Sequence, residues 1–317
     1  MDDLESLLLG QAPTLTREDV DAQSGMPVDM GADIWAAMGF AEVPYGEAAF
    51  TSHDVEALQT AGALLELGVI DGDTLLVMAR AMGQGLAKLA EAQLDVFRGA
   101  SGGMTVEESL AVMTTAADDV LPKLDRLVLF VWRRQFAAAV QRSLATVREG
   151  GMPVLAVGFL DLVNFTQSTR SWDAGQLERT LERFERDTAL RVGAVGGRVV
   201  KTLGDGVLYT TDSAQTAVQV ALETADAHEA DGALPSVRGG VAVGPVLVRL
   251  GDVFGEPVNL ASRLSEEARP GTVLVDKHVA AAVEAAAGAA LEVRPLHRRS
   301  VRGYRSLAPF LVRAAVH

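Results

Sequence analysis

The chain changes its hydrophobic pattern at Gly150-Gly151-Met152-Pro153, and this change constrains the fold more than any other feature. Before it, apolar residues recur at helical spacing. After it, short apolar runs alternate with helical stretches. Because glycine and proline together end helices and mark connections, the sequence predicts an all-α segment followed by an α+β domain.

The first half is predicted to contain several separate helices. Asp73 or Thr74 is expected to cap a helix that runs to about Arg98, and the last, long helix is expected to begin after Pro122. The predicted helices are "LTREDVDAQSG", "VDMGADIWAAMGF", one capped by Thr51 or Ser52, the one ending near Arg98, one beginning near Val106, and the one after Pro122.

The second half begins with "VLAVGFLDL", a nearly uninterrupted apolar run that is typical of a strand covered on both faces. Further short β-rich runs alternate with amphipathic helices, and two of these runs flank a Gly-Asp-Gly turn. Two terminal strands are expected near "LEVRPL" and "PFLVRA". The pattern predicts an α+β sandwich with a mixed or antiparallel sheet.

Composition excludes several classes of function. The 317 residues include no cysteine, so disulfides, thiolate metal sites and cysteine nucleophiles are excluded. The acidic N-terminus is unlike a secretory signal, and no stretch approaches the length of a membrane span. We expect a cytoplasmic protein. The net charge of −14, with one basic and ten acidic residues in positions 1–50, argues against a nucleic-acid partner.

Two aspartates stand at positions suited to hard cations. Asp161 ends the first apolar strand just before a helix, and Asp205 occupies the tip of the Gly-Asp-Gly hairpin. If their strands are neighbours, the two carboxylates are expected to share one or two Mg²⁺ ions. The alternatives remain open: Asp161 or Asn164 is a helix N-cap, and Asp205 is a turn residue.

Two further pairs of polar residues are candidates for binding a ligand. Asn259 and Arg263 are four residues apart, so they project from one helix face and suit a sugar and a phosphoryl group. The alternative is an exposed ion pair between Arg263 and Glu266 or Glu267. Lys201 and Asp252 supply one donor and one acceptor for the edge of a purine base, although Asp252 is also a plausible turn residue.

Three segments together resemble the catalytic domain of class III adenylyl cyclases: "FLDLVNFTQST", "GGRVVKTLGDGVL" and "GDVFGEPVNLASRL". The resemblance extends from about Pro153 to the C-terminus. It implies a ferredoxin-like α+β fold that acts as a homodimer with active sites at the interface. It also implies two Mg²⁺ or Mn²⁺ ions per site and conversion of ATP to cyclic AMP.

The resemblance assigns a role to each candidate residue by position. Asp161 and Asp205 match the metal-binding aspartates. Lys201 and Asp252 match the pair that recognises adenine. Asn259 and Arg263 match the residues that position the ribose and stabilise the transition state. Three looser matches concern the phosphates, namely Phe165 and Thr166 after the first aspartate and Arg302 in place of a lysine.

The first half looks like the helical regulatory domain of a soluble bacterial subgroup that includes pH-responsive cyclases. We therefore expect a regulatory domain at 1–120, a coupling helix and linker at 121–151, and the catalytic domain at 152–317. A proton or a lipid is a candidate effector, although His53 is the only histidine in the first half. Guanylyl cyclase activity and a catalytically inactive nucleotide-binding dimer are the alternatives.

Overall fold

The computed structural model describes residues 2–100, 105–149, 151–232, 234–286, 290–301 and 304–315. The chain divides into two compact units, Met1–Val140 and Gln141–His317. Within the described residues, no helix is both long and apolar enough to cross a membrane. The division into regulatory, coupling and catalytic segments stays a prediction.

The first unit is helical, as the sequence predicted. Its elements, the last of which continues into the second unit, are α1 (Asp2–Leu9), α2 (Arg17–Ser24), α3 (Val28–Met38), α4 (Ser52–Glu66), α5 (Gly72–Ala100) and α6 (Val106–Glu149). Thr51 caps α4 through a capping box with Asp54, which confirms one of the two predicted caps. Helix α1 was not predicted.

Two predicted helix boundaries are wrong. Asp71 caps α5, because its carboxylate accepts a 2.8 Å hydrogen bond from the Thr74 N–H, whereas Asp73 and Thr74 lie inside the helix. Pro122 lies inside α6 and does not begin a new helix. A proline inside a helix removes one N–H donor and can kink the helix without ending it.

The first unit has two small apolar cores. Met26, Ile34, Leu75 and Ala79 form one core between α3 and α5. The second core is centred on Phe50. Helices α3 and α5 come into close contact at Gly83, where a Cβ would lie 2.1 Å from the Met38 carbonyl oxygen. A side chain at this position would force the two helices apart.

The second unit alternates strands with helices. Its further elements are β1 (Val154–Leu162), α7 (Phe165–Ser168), α8 (Ala174–Ala194), β2 (Arg198–Leu203), β3 (Gly206–Thr211), α9 (Ala214–Asp231), β4 (Val237–Pro245), β5 (Leu247–Arg249), β6 (Asp252–Phe254), α10 (Glu256–Glu267), β7 (Val273–Val275), α11 (Lys277–Ala286), β8 (Leu291–Pro295), β9 (Arg299–Val301), β10 (Tyr304–Leu307) and β11 (Phe310–Ala314). The predicted α+β class is confirmed. Strand β5 is the second of two strands that the sequence predicts in "VRGGVAVGPVLVRLGD", but its pairing with β6 and the β9–β10 ladder were not predicted.

The main sheet has seven strands in the order β2-β3-β1-β4-β7-β11-β8. The β4–β7 pair is parallel and the other neighbours are antiparallel, so the sheet is mixed, which is one of the two predicted arrangements. Strand β1 is covered on both faces, since Ala156 belongs to one apolar core and Val157 to the other. This burial explains its uninterrupted apolar sequence.

Helices cover both faces of the sheet. Helices α8, α9 and α11 pack on one face, where Phe184, Val218 and Val279 are buried. Helix α10 packs on the other face through Ala261 and Leu264. At the contact between α10 and β4, a Cβ on Gly240 would lie 2.1 Å from the Ala261 carbonyl oxygen. Helix α10 is therefore held close to the sheet and has little room to shift.

His228 is a fully buried histidine between α8 and α9. Its ring lies edge-on to Phe184, and its Nδ1 is 2.9 Å from the Pro235 carbonyl oxygen. Within the described residues, its Nε2 has no hydrogen-bond partner. Burial lowers the pKa of His228, against the opposing effects of the Pro235 carbonyl and Asp187, while Arg191 and Arg183 lower it further.

We predict that the second unit loses stability on acidification because of His228. The unfolded chain takes up a proton near pH 6.5, whereas the folded protein does so only at lower pH. Stability is therefore full above about pH 6.5 and falls below it, by up to about 1.4 kcal/mol per pH unit. Thermal unfolding between pH 5 and 7.5 measures this effect.

The controls for this prediction are two histidine substitutions. His228→Gln is expected to flatten the pH dependence below pH 6.5, whatever its effect on stability at neutral pH. His278→Gln removes an exposed histidine on α11 and is expected to leave the dependence unchanged. Equal slopes in all three proteins would contradict the assignment to His228.

Candidate active site

The two predicted metal-binding aspartates lie at the same end of neighbouring strands. Asp161 pairs with Gly206 across β1 and β3, and the Leu162 N–H donates a 2.9 Å hydrogen bond to the Asp205 carbonyl oxygen. By strand alternation, Asp161 lies on the α10 face of the sheet. The structure therefore brings Asp161 and Asp205 together at one edge of the sheet, as the sequence predicted.

Asp161 is held by an arginine that the sequence analysis missed. Arg238 on β4 stands opposite Asp161 in the β1–β4 register and donates to its Oδ2 from Nε at 2.8 Å and Nη2 at 2.5 Å. The sequence offered one signal, a lone arginine in an otherwise apolar strand. Its partner depends on strand register, which a sequence does not state.

The Asp161 side chain is half-buried and lies near other negative charges. Burial raises the pKa of Asp161, the hydrogen bonds from Arg238 oppose this effect, and the nearby Asp205 charge adds to it. Asp161 is not a helix cap, because its side chain bonds Arg238. Asn164 occupies the N-cap position of α7 with φ of 58° but makes no side-chain cap hydrogen bond.

The pair of carboxylates has the donor chemistry that a hard divalent cation requires. Within the described residues, no group of three or more histidine, cysteine, aspartate or glutamate side chains is arranged to hold a metal. Mg²⁺ commonly takes one or two carboxylates and completes its shell with water and substrate phosphates. Asp161 and Asp205 therefore fit an ion that binds together with a nucleotide.

The hairpin lysine has a specific partner. Lys201 Nζ lies 2.5 Å from Asp252 Oδ2, although the two residues are far apart in sequence. Lys201 stands opposite Leu208, a residue of the core under α10, so it lies on the same face as Asp161. The structure joins the predicted base-recognition pair within one chain.

Asp252 is fixed by both a lysine and the backbone. Its Oδ1 accepts a 2.8 Å hydrogen bond from the Val253 N–H. Burial alone would raise the pKa of Asp252, but the hydrogen bonds from Lys201 and Val253 outweigh it and place the pKa below its ordinary value. Asp252 is therefore an oriented carboxylate that can accept a hydrogen bond.

Helix α10 presents Asn259 and Arg263 one turn apart, and Asn259 is exposed. Arg263 Nη1 lies 2.7 Å and 2.5 Å from the two carboxylate oxygens of Glu266, so one of the two ion pairs considered for it is present. Arg238 also donates to the Glu266 carbonyl oxygen at 2.9 Å. The last turn of α10 is thus tied to the arginine that holds Asp161.

The three looser candidates have different positions. Phe165 begins α7, where it packs edge-on to Trp172 with ring centroids 5.9 Å apart and contacts the main core. Its side chain is therefore structural, and only its backbone is available to a phosphate. Thr166 lies in the same short helix. Arg302 lies outside the described residues, so its predicted phosphate contact stays a prediction.

Residues 149–314 match the family model described as the adenylate and guanylate cyclase catalytic domain. This segment is about half of the chain and contains every candidate site residue. It begins three residues before the predicted catalytic boundary at 152.

Curated relatives share sequence with both halves of the chain. An adenylate cyclase from Streptomyces coelicolor is 40% identical over 280 residues, which cover 86% of this chain and 72% of that protein. An adenylate cyclase from Glutamicibacter nicotianae is 31% identical over 326 residues, which cover 97% and 80%. A protein from Mycobacterium tuberculosis named pH-sensitive adenylate cyclase is 28% identical over 276 residues, which cover 82% and 68%.

Proposed function

The chain belongs to the family of adenylate and guanylate cyclase catalytic domains, and from this premise we propose that it converts ATP to 3′,5′-cyclic AMP and pyrophosphate. One observation supports the proposal above all others. Asp161 and Asp205 lie at the same end of the paired strands β1 and β3, and Lys201 and Asp252 form a 2.5 Å ion pair on the same side of the sheet. A site for cations and a donor–acceptor pair for a base are the two parts that a nucleotide requires.

The reaction is an intramolecular phosphoryl transfer. The ATP 3′-oxygen attacks the α-phosphorus, the bond from that phosphorus to the bridging oxygen breaks, and pyrophosphate leaves. The 3′-hydroxyl proton passes to solvent. Arg263 is placed by the resemblance to stabilise the charge that develops on the α-phosphate, and Asn259 to hold the ribose. No protein nucleophile is needed.

Asp161 and Asp205 would hold two Mg²⁺ or Mn²⁺ ions in each site. Such ions neutralise phosphate charge and make a hydroxyl easier to ionise. The chain places the two aspartates at the same end of paired strands, and Arg238 orients one of them. Because this set is incomplete without phosphate oxygens, we expect metal and nucleotide to bind together.

The choice of base depends on Lys201 and Asp252. Their ion pair is partly buried, and the low pKa of Asp252 keeps it an acceptor. A lysine donor beside a carboxylate acceptor matches the ring nitrogen and the amino group of adenine. Guanine-specific members of the family typically carry a glutamate and a small polar residue instead, so we favour ATP over GTP.

We propose that the active form is a homodimer. One chain carries all six residues of the metal-binding, base-recognition and transition-state pairs, so two copies would form two equivalent sites at their interface: Asp161, Asp205, Lys201, Asp252, Asn259 and Arg263. Each site would take Asp161 and Asp205 from one subunit and the other four residues from its partner. In this arrangement the monomer is inactive.

We also propose that residues 1–120 regulate the cyclase through the coupling segment 121–151. The relatives' similarity extends across the helical unit, which supports a role shared with full-length cyclases. One relative is named pH-sensitive, and a proton or a lipid is the candidate effector. The cytoplasmic location expected from composition stays a prediction.

The experiment that tests this function is a direct assay. Purified protein is incubated with ATP or GTP and with Mg²⁺ or Mn²⁺ across a range of pH, and cyclic nucleotide is quantified. We expect cyclic AMP to form at a clearly higher kcat/KM than cyclic GMP. A preference for GTP would establish the guanylyl cyclase alternative. No product from either nucleotide would contradict the proposed activity and favour the catalytically inactive dimer.

A further inference from the structure

The helical unit contains a partly open cavity that the cyclase reaction does not use. Its volume is about 560 Å³, and it lies among α2, α3, α4 and α5, within the first unit. Cavities of about 300–1,000 Å³ are the size that small organic ligands occupy. Ile34 and Leu75 belong to its wall, so its inner surface is mainly apolar.

Aromatic rings form one part of the wall. Trp35 lies 4.4 Å from Phe40 and 4.9 Å from Phe50, measured between ring centroids, and all three residues line the cavity. The Trp35 Nε1–H donates to the Ala41 carbonyl oxygen at 2.7 Å. The indole N–H is therefore already bonded, and what the wall offers a ligand is the electron-rich ring system, which attracts cations.

The charged residues of the wall are mostly acidic. Asp21, Asp33, Glu42 and Asp54 line the cavity, against one basic residue, Arg17. The Arg17 guanidinium lies 5.4 Å from the centroid of the Tyr45 ring, which is not part of the wall. Asp54 is already bonded to Thr51 as part of the α4 cap. The wall therefore favours a positively charged ligand over a negatively charged one.

Asp21 is the carboxylate best placed to meet such a charge. It is partly buried, its Oδ1 lies 3.3 Å from where a Cβ on Gly31 would be, and Gly31 itself is buried. Within the described part of the chain, its carboxylate has no hydrogen bond or ion pair. Burial raises the pKa of Asp21, opposed by Arg17, so its charge is incompletely compensated.

We propose that this cavity binds an organic cation with a compact apolar body, a primary amine or a quaternary ammonium, whose charge lies between the Asp21 carboxylate and the Trp35 ring. The apolar wall receives the body of the ligand, and the aromatic rings and carboxylate receive its charge. The inference concerns the helical unit alone and does not depend on the proposed cyclase activity.

The test compares three ligands of one shape and different charge, with the full-length chain. These are 1-adamantylmethylammonium, 1-adamantylmethanol and 1-adamantanecarboxylate, followed by calorimetry and by Trp35 fluorescence in a Trp132→Phe/Trp172→Phe background. We expect the ammonium to bind about tenfold more tightly than the alcohol, as a desolvated cation–aromatic contact would give, and the carboxylate to bind least. Equal binding of all three, preference for the carboxylate, or no binding would overturn the proposal.

Two matched substitutions locate the charge. Asp21→Asn is expected to lower affinity for the ammonium about fivefold or more while leaving the alcohol unchanged, since only the charged ligand loses an opposite charge in a partly buried site. Asp29→Asn removes an exposed carboxylate from α3 that does not line the cavity. It is expected to leave both affinities unchanged. If both variants weaken ammonium binding equally, the effect comes from the overall negative charge of the helical unit, and the assignment of the charge contact to Asp21 is wrong.

Discussion

Asp205→Ala is expected to lower kcat for cyclic AMP formation by about a hundredfold or more, because removing one preorganised group that stabilises transition-state charge costs about 10²–10³ in rate. For this test, Asp205 is a better residue to replace than Asp161. Within the described residues, the Asp205 carboxylate has no hydrogen bond or ion pair, whereas removing Asp161 would leave Arg238 without the carboxylate it bonds. The loss should therefore appear in activity with little change in thermal stability.

The control residue flanks the other end of strand β3. Asp212 follows the opposite end of β3 and is exposed, so Asp212→Ala removes an equal charge away from the site. We expect it to retain activity close to that of the parent protein. Full activity in Asp205→Ala, or equal losses in both variants, would contradict the assignment of Asp205.

Mixing two inactive variants is expected to restore activity. In the proposed homodimer, an Asp205→Ala subunit still supplies Arg263, and an Arg263→Ala subunit still supplies Asp205. If subunits pair at random in an equimolar mixture, half of the dimers are mixed, and each mixed dimer has one intact site. Activity should then return to about a quarter of the parent value, from a nearly zero background in either variant alone.

A second mixture distinguishes shared sites from simple dimerisation. Asp161→Ala and Asp205→Ala remove residues that one subunit supplies to each site in the proposed homodimer, so no pairing of these two variants creates an intact site. This mixture should remain inactive when its subunits are allowed to pair at random in the same way. Recovery in both mixtures, or in neither, would contradict the division of the site between subunits.

Arg263 must reach a phosphate in spite of its contact with Glu266. Ion pairs between side chains three residues apart on an exposed helix face contribute little, about 0–1 kcal/mol. The Arg263 side chain is 30% exposed and that of Glu266 is 51% exposed. A nucleotide phosphate carries more charge than one carboxylate, so it can compete for the guanidinium without a large energetic cost.

Local patterns were sufficient for most of the secondary structure, because helix caps, apolar spacing and glycine turns act over a few residues. They failed where two nearby residues were equally good helix caps, and where the rest of a helix outweighed the tendency of one proline to end it. Asp71 caps α5 although Asp73 had the same side chain, and α6 continues through Pro122 although a proline there removes one hydrogen bond of the helix.

The candidate site residues can be picked out in the sequence from their spacing together with the resemblance to class III cyclases: Asp161, Lys201, Asp205, Asp252, Asn259 and Arg263. Their partners required the folded chain. Lys201 meets Asp252 across 51 positions, and Arg238 meets Asp161 across 77. Such contacts depend on strand register and on how closely α10 packs against Gly240, and both result from burying two apolar faces of one sheet at once.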